Sequence, residues 1–359
     1  MGETLDTLRT TITAIDADIV RMLNRRAEIS VRIGALKGQN NVPVYDPSQE
    51  NTVFRHVTEI NDGPLSAKIL RSIYREILSG SRALQSPVSV AYLGPATSFS
   101  HLAAQSHFGT NTVFVPQSSI HGVFDETEKG TVNLGIVPVE NSLEGSVKVT
   151  MDRLMTSPLV ILGEIYLPIR HNLMSLSTNT MAISDVYSHP QALAQCHDWL
   201  GRHMSHCSLH ETDSTAKAAE RVAGDPRSAA IGSSLAAAAY GLSIVAEGIE
   251  DHASNMTRFL IIGRGSTKPT GNDKTSIFFG VHHDPGALHH ALLPFAERSI
   301  NLTKIVSHPI RERMWEYLFF VDFIGHATEE HIAVCLERLE KDCTMVRILG
   351  SYPREEREQ

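Results

Sequence analysis

Polar residues in the first 85 positions have spacings that place them on shared helix faces. Arg26 and Lys37 are eleven residues apart and fall nearly on one face at about 100° per residue. Two further pairs are four residues apart: Asp46 with Glu50, and Ser81 with Gln85. Each residue alone is compatible with a solvated helix surface, but the joint pattern favours a functional site. Arg9 falls about a quarter-turn from Arg26, so it need not serve the same pocket within one chain and could reach a partner's.

A long amphipathic helix and two shorter ones must position these residues. Apolar residues recur at three and four along the first helix: Leu5, Leu8, Ile12, Ile15, Ile19, Met22 and Leu23. A break at 38–43 ends it, and Asp46-Pro47 is typical of an N-cap followed by proline at the first helical position. A third helix is predicted over about 66–85. Three such helices cannot bury their apolar stripes alone, which favours dimerisation through the long helix.

A second group of polar motifs follows predicted strands further along the chain. The motifs occupy 94–100, 137–145, 188–196, 213–216, 230–233 and 255–259. Ligands of open α/β sheets collect at such strand ends. Individually, Gly94-Pro95 is typical of a turn, Ser188 of a helix entry and Thr257 of an ordinary strand. Their occurrence together in one region favours a functional site.

Short apolar strands alternate with helices between residues 88 and 267, which predicts an α/β domain with largely parallel sheets. Strands are predicted at 88–93, 112–115, 133–137, 159–166, 186–188 and 229–231, and helices at 100–107, 119–128, 147–155 and 215–223. A polar Pro- and Gly-containing linker at 268–273 marks a boundary. The tail predicts the order strand, helix, strand, strand, helix, strand at 275–281, 287–298, 301–307, 316–324, 329–341 and 345–352. That order fits a ferredoxin-like α+β unit.

Bulk properties exclude several classes of function. The net charge of -8 provides no basic field for nucleic acid or anionic lipid, so neither partner is expected. No apolar run is long enough to span a bilayer, and the start lacks a signal-peptide core, which favours a cytoplasmic protein. The four cysteines lack framework spacing, as expected for reduced thiols. The pairs at His282-His283 and His289-His290 lack metal-ligand spacing, so no metal site is predicted.

The first region resembles the all-helical chorismate mutase family over roughly residues 4–85. The resemblance rests on the stretches 8–9, 15–16, 25–28, 34–37 and 45–50, with Ser81 and Gln85. It implies an intertwined dimer, with Arg9 contributed by the other subunit. It also implies that chorismate contacts these residues of the first subunit: Arg26, Lys37, Asp46, Glu50, Ser81 and Gln85. Arginines would clamp the two carboxylates, Lys37 and Gln85 would donate to the ether oxygen, and Glu50 would accept from the ring hydroxyl.

Position 49 departs from the family pattern, which usually has arginine where this chain has glutamine. Gln49 stands at the third helical position after Asp46 and is expected to close a capping box. The loss of one cation predicts a raised KM for chorismate rather than an inactive mutase.

The second region, about 88–265, closely resembles prephenate dehydratases on its six motifs. That resemblance implies two α/β lobes with a cleft, similar to periplasmic binding proteins. It places Thr257 as donor to the departing hydroxyl, with prephenate also contacting these residues: Glu140, Asn141, Ser188, Gln195 and Arg258. Because threonine is a weak acid, positioning within a dry cleft must contribute much of the rate. Neither reaction is expected to need a cofactor.

The tail resembles the amino-acid-binding ACT domain that follows the catalytic part in this family. The similarity rests on 286–289 and 300–309 and implies phenylalanine binding at a dimer interface, through Gly286, Ala287, Leu288, Asn301, Leu302 and Ser307. The resemblance also implies that bound phenylalanine inhibits the dehydratase. Two positions depart from the family motif, Val306 and His308, and they leave the strength of that inhibition open. The chain is thus predicted to be multidomain: an all-α domain at 1–87, a two-lobed α/β domain at 88–267 and an ACT domain at 274–353.

The function implied is bifunctional: rearrangement of chorismate to prephenate, then dehydration and decarboxylation to phenylpyruvate in L-phenylalanine biosynthesis. Two alternatives stay open. The cleft could serve a non-catalytic binding protein or sensor, although mere binding requires no donor to a leaving group such as Thr257. Arogenate could also replace prephenate, because the two differ only in an amino or keto group on the side chain.

Overall fold

The structure is a computed structural model that describes residues 4–309 and 317–355. The chain divides into two compact units. The helical unit comprises the chain up to Val88 together with Phe108–Val113, and the α/β unit comprises Ser89–His107 and the chain from Phe114 onwards. The predicted strand 316–324 starts at Glu316, which lies outside the described residues.

Three helices form most of the helical unit: α1 (Leu5–Gln39), α2 (Pro47–Glu59) and α3 (Ala67–Gln85). The Asp46 carboxylate caps α2 by accepting from Gln49 N–H, and Pro47 is its first residue. Ser66 caps α3 in the same way. The predicted helices and the predicted cap at Asp46 are therefore confirmed, because both depend on local residue preferences.

The long helix α1 packs on α3 but leaves an apolar stripe uncovered within one chain. At Gly34 an added side chain would overlap Gln85, so this glycine allows the close approach of the two helices. The apolar side chains that stay exposed along α1 include Leu5, Leu8, Ile12, Ile15, Ile19, Met22 and Ile29. A stripe of this length is unusual on a free surface and suits coverage by another helical surface.

The segment Phe108–Val113 is held in the helical unit by hydrogen bonds to α3. The Thr110 hydroxyl donates to a Glu76 carboxylate oxygen at 2.7 Å, and Asn111 N–H donates to the Ser79 hydroxyl at 3.0 Å. Gly109 has φ +74 and lies so close to Ser79 that a side chain would collide with it.

The α/β unit begins with alternating strands and helices up to residue 263. The strands are β1 (Ser89–Leu93), β2 (Val113–Gln117), β3 (Leu134–Asn141), β4 (Gly145–Ser146), β5 (Val160–Pro168), β6 (Asn172–Ser175), β7 (Asp185–Ser188), β8 (Ser208–Glu211), β9 (Ser228–Gly232), β10 (Ser243–Ala246) and β11 (Met256–Gly263). The helices are α4 (Phe99–Phe108), α5 (Ile120–Lys129), α6 (Lys148–Thr156), α7 (Pro190–Gln195), α8 (His197–His203), α9 (Thr215–Val222) and α10 (Ser234–Tyr240).

These strands form two sheets, in agreement with the predicted two lobes. The first has the order β2-β1-β3-β11-β5 with β4 beside β3, and the second has the order β10-β6-β9-β7-β8. The prediction of largely parallel sheets is wrong. Pairing is parallel for β1 with β3 and for β7 with β8 and β9, but β11 is antiparallel to β3 and β5, and β6 is antiparallel to β9 and β10. The first sheet is mixed because the chain returns from the second sheet and inserts β11 into it, and the second sheet is mixed because of β6.

The tail forms the predicted ferredoxin-like unit. Its elements are β12 (Asp273–Gly280), α11 (Ala287–Glu297), β13 (Leu302–Pro309), β14 (Tyr317–Ile324), α12 (Glu330–Asp342) and β15 (Met345–Pro353). The strands form an antiparallel sheet of order β13-β14-β12-β15.

One face of the tail sheet shares a hydrophobic core with the first sheet. Phe278 and Phe320 belong to the same buried cluster as Ile161 and Leu260. At Gly350 an added side chain would collide with the backbone of Ile161, so strands β15 and β5 approach closely there. The opposite face of the tail sheet packs on α11 and α12. No helix in the described residues is long and apolar enough to cross a membrane.

Candidate active sites

The first candidate site lies among the three helices of the helical unit. Arg26 on α1 donates to the Ser81 hydroxyl on α3 at 2.5 Å. The Lys37 ammonium, near the end of α1, donates to the carbonyl of Val44 at 2.8 Å in the loop before α2. Arg26 is therefore held against α3, and Lys37 against the loop that leads into α2.

Glu50 faces this site from α2 and is paired with a cation that sequence reasoning missed. Arg82 donates to a Glu50 carboxylate oxygen at 2.5 Å and to the carbonyl of Phe108 at 2.5 Å. Burial raises the pKa of Glu50, while Arg82 and then Lys37 oppose that rise. Arg82 is itself buried, so a charged carboxylate at Glu50 has a permanent counter-ion.

Asp46, Gln49, Gln85 and Arg9 differ in how the structure places them. Asp46 is occupied as the cap of α2 through Gln49 N–H, which is half of the expected capping box. The Gln85 side-chain oxygen is buried without a hydrogen-bond partner in the described structure. Arg9 is exposed beside Asp6, so one chain does not bring it to the other residues.

The second candidate site is a cleft of about 460 Å³ in the α/β unit. Its lining contains the first residues or caps of three helices: Ser98 and Phe99 of α4, His189 of α7, and Ser214 of α9. Helix N-termini carry partial positive charge and free N–H groups, so they suit an anionic ligand. Among the residues that line the cleft, none is lysine or arginine.

Thr257 lines this cleft, and Asn141 determines where its hydroxyl hydrogen can go. Leu143 N–H and Glu144 N–H donate to the Asn141 side-chain oxygen at 2.9 and 3.2 Å, which fixes the orientation of the amide. The Asn141 amide nitrogen must then donate to the Thr257 oxygen, 2.9 Å away. Because that oxygen is an acceptor in this contact, the Thr257 O–H hydrogen is available to the cleft.

The same amide starts a chain of side chains that ends on a buried histidine. Asn141 also donates to the Asn255 oxygen at 2.9 Å, Asn255 donates to the Gln195 oxygen at 3.1 Å, and His171 lies 2.8 Å from that oxygen. Gln195 is among the residues predicted to contact substrate, whereas Asn255 and His171 are not. Asn255 stands in a motif beside Thr257 and could have been found from it. No residue next to His171 in the sequence indicates that it belongs to the site.

Three residues predicted to contact substrate do not line the cleft in this structure. The buried Ser188 hydroxyl donates to the carbonyl of Ile231 at 2.8 Å. Glu140 pairs with Lys304 at 2.8 Å. Arg258 is buried on the face of β11 opposite Thr257, because neighbouring strand residues point to opposite faces. Their contact with substrate stays a prediction.

Family models match three consecutive parts of the chain. A chorismate mutase type II model matches residues 8–86, a prephenate dehydratase model matches 90–267, and an ACT domain model matches 275–341. The bifunctional chorismate mutase/prephenate dehydratase of Aquifex aeolicus is 43% identical over 356 residues, which cover 98% of each chain. The protein of the same description from Pseudomonas aeruginosa is 41% identical with the same coverage.

The chain belongs to the bifunctional chorismate mutase/prephenate dehydratase family. It is therefore an enzyme with a mutase domain, a dehydratase domain and an ACT domain. Among solved structures, the prephenate dehydratase of Arthrobacter aurescens in complex with L-Phe is 33% identical, with a TM-score of 0.68. That match covers 74% of this chain and 90% of the other.

The ACT domain contacts the dehydratase strand that carries Thr257. Arg258 donates to Glu164 on β5 at 2.8 Å and to Asp322 on β14 at 2.5 Å. Lys274 on β12 donates to Glu164 at 2.6 Å, and the Tyr352 hydroxyl accepts from Arg258 at 2.9 Å. A buried ionic cluster therefore joins the sheet of the ACT domain to the strand that carries Thr257.

The residues predicted to bind an effector lie at the start of α11 and along β13. Gly286 is the residue before α11 and has φ +83, which glycine adopts without strain; Ala287 and Leu288 open the helix. Asn301 precedes β13, which contains Leu302 and Ser307. The departure at His308 has a structural partner, since its ring lies 2.7 Å from the Asp152 carboxylate of the dehydratase domain. Val306 is partly buried on the same strand.

Proposed function

We propose that this chain rearranges chorismate to prephenate and converts prephenate to phenylpyruvate, as two consecutive steps of L-phenylalanine biosynthesis. The observation that carries the dehydratase half is the Thr257 hydroxyl, whose oxygen accepts from Asn141 and whose hydrogen is therefore available to a ligand in the cleft. A binding protein would need no such donor.

Thr257 is proposed to donate to the ring hydroxyl of prephenate as it departs. The ring carboxylate leaves as carbon dioxide, its bonding electrons restore the aromatic ring, and the carbon–oxygen bond breaks to release water after one proton is taken up. Asn141 holds Thr257 in place, while Gln195 and the helix N-termini around the cleft bind the substrate. Because these donors are fixed before the substrate arrives, they need no reorganisation during the reaction.

The mutase reaction is proposed to occur among the three helices. Arg26 clamps one carboxylate, with Ser81 beside it, and Lys37 donates to the ether oxygen as its bond breaks. Gln85 is proposed to bind the same oxygen through its side-chain amide nitrogen, which is the donor of that group. Glu50 accepts from the ring hydroxyl and Asp46 contacts the substrate beside it.

Arg9 is proposed to complete the mutase site of a second subunit. Its exposure in one chain and the exposed apolar stripe on α1 both support a homodimer formed through that helix. Sedimentation at micromolar concentration should give twice the mass of one chain. A monomer with full mutase activity would contradict the proposal.

Phenylalanine is proposed to inhibit the dehydratase by binding the ACT domain at the start of α11 and along β13. Two contacts could transmit the effect. Lys304 on β13 pairs with Glu140, the neighbour of Asn141, and Asp322 on β14 pairs with Arg258, the neighbour of Thr257. Ligand-dependent movement of either ACT strand would therefore act on the residues next to the catalytic hydroxyl.

The test is to incubate the full chain with chorismate and to follow prephenate and phenylpyruvate, with and without phenylalanine. Both products should form. Phenylalanine should lower the rate of phenylpyruvate formation and leave the rate of prephenate formation unchanged. Thr257→Val should accumulate prephenate. Binding of prephenate without turnover by the unaltered chain would favour the sensor instead. Running arogenate in parallel decides between the two substrates. The domain boundaries at 1–87, 88–267 and 274–353 and a cytoplasmic location complete the proposal, and limited proteolysis and cell fractionation test them.

A further inference from the structure

His171 is buried in the cleft with one ring nitrogen that has no partner. Its side chain lines the cleft and the residue is 3% exposed. The ring stacks edge-on against Phe99, with 5.5 Å between ring centres. Its Nδ1 makes no hydrogen bond in the described structure. A buried polar atom without a partner is costly, so its occurrence in a ligand cleft indicates a missing partner.

The hydrogen-bond chain from Asn141 fixes which ring nitrogen can titrate. The Gln195 oxygen accepts from Asn255, so it is an acceptor toward His171 as well, and Nε2 of the ring must carry hydrogen. Nδ1 is therefore bare in the neutral ring. If the ring takes up a proton, the proton goes to Nδ1 and the contact with Gln195 is kept. Titration thus changes only the nitrogen that lacks a partner.

The charged groups around His171 allow such uptake when an anion binds. Burial lowers the pKa of the His171 ring, while Gln195 and the Glu250 carboxylate oppose this effect. Glu250 accepts from His171 backbone N–H at 2.8 Å and is paired with Arg170 at 2.7 Å. The other titratable groups lining the cleft are His189 and Asp213. Without substrate the ring is held neutral, and nearby negative charge raises its proton affinity.

We propose that His171 is a substrate-binding residue of the dehydratase, which takes up a proton at Nδ1 when the dianionic substrate enters and donates that hydrogen to a substrate carboxylate. The proposal rests on the dehydratase function proposed above. A protonated His171 would supply positive charge to a lining that contains no lysine or arginine. The contact is with the side-chain carboxylate, because a cation on the ring carboxylate would stabilise the charge that decarboxylation must remove.

The first test is the pH dependence of KM for prephenate in the full-length enzyme, from about pH 5.5 to about pH 9. Between the pKa of free His171 and its higher pKa in the complex, KM should rise by up to about tenfold per pH unit, with little change in kcat. His171→Gln should raise KM at low pH and remove this dependence. His189→Asn, which alters the other histidine of the cleft and keeps a helix-capping residue, should retain it.

A second measurement counts the proton directly. Prephenate is titrated into full-length Thr257→Val by calorimetry in phosphate and in Tris buffer, whose ionisation heats differ. Proton uptake should appear near neutral pH. It should vanish in the double variant that carries both Thr257→Val and His171→Gln. If His171→Gln proves unfolded by circular dichroism, the uptake seen with Thr257→Val alone still decides.

A flat KM profile, or a pH dependence that survives in folded His171→Gln, would overturn the role of His171. That result differs from failure of the proposed function, in which the unaltered enzyme forms no phenylpyruvate at any pH. Mutase turnover of each variant verifies that the helical unit is intact, because His171 belongs to the α/β unit.

Discussion

The substitution Asn141→Asp tests the proposed orientation of the Thr257 hydroxyl most directly. The new side chain has nearly the same shape, and Leu143 and Glu144 N–H can still donate to it. A carboxylate cannot donate, so the 2.9 Å bonds to Thr257 and Asn255 lose their hydrogen. The Thr257 hydroxyl would turn its own hydrogen toward the carboxylate and away from the substrate.

The expected loss follows from removing one fixed donor. Loss of one preorganised donor typically lowers kcat by about 10² to 10³, and tenfold corresponds to about 1.4 kcal/mol. Dehydratase kcat of the full-length Asn141→Asp enzyme should fall by that factor, measured as phenylpyruvate formed from saturating prephenate. Mutase turnover should be unchanged. Ser142→Ala provides the neighbouring control, since that hydroxyl bonds to Ser254 and Met256 instead of Thr257. A wild-type kcat in Asn141→Asp would refute the proposed direction of the hydroxyl.

Three further expectations concern the rest of the molecule. Lys304→Met, which breaks the pair with Glu140, should raise the phenylalanine concentration for half-inhibition by roughly tenfold, whereas exposed Lys341→Met should not; equal inhibition curves would exclude that route. Because burial raises the Glu50 pKa, this carboxylate becomes protonated at a higher pH than usual, so mutase kcat/KM should fall on acidification from a higher pH, and Glu50→Gln should flatten that limb. Gly109→Val should destabilise the helical unit by about 1–3 kcal/mol and reduce mutase activity, measured by thermal unfolding and turnover, because φ is +74 and Ser79 occupies the space. Gly130→Val, at φ +79 with open space around it, is the matched control, and equal losses of mutase activity would contradict the reasoning.

Local rules explain which parts of the fold could be predicted. The cap at Asp46, the proline after it and the apolar periodicity of α1 are properties of neighbouring residues, and the helices follow from them. The βαββαβ order of the tail could be predicted from the sequence for the same reason. The antiparallel insertion of β11 could not be predicted, because its direction depends on where the chain returns to the first sheet after the 87 residues between β5 and β11. No local pattern determines that return.

The candidate sites also depend on contacts that local sequence patterns do not determine. Thr257 and Asn141 stand in motifs, but their contact depends on the register between β11 and β3. Arg82 looks like a solvated helix residue in the sequence, and only the fold shows that it pairs with Glu50, 32 positions earlier. No residue next to His171 in the sequence indicates a ligand. Its proposed role depends on its contact with Gln195, 24 positions later.

The segment Phe108–Val113 has a consequence for how this molecule is made and altered. The polypeptide passes between the two units three times, after Val88, after His107 and after Val113, so a single cut near residue 88 does not separate them cleanly. During synthesis the helical unit cannot be completed until residue 113 has left the ribosome, although its three helices end at Gln85. A functional exchange of the mutase module between relatives would therefore have to carry this loop along with the helices, as a second graft inside the neighbouring coding region.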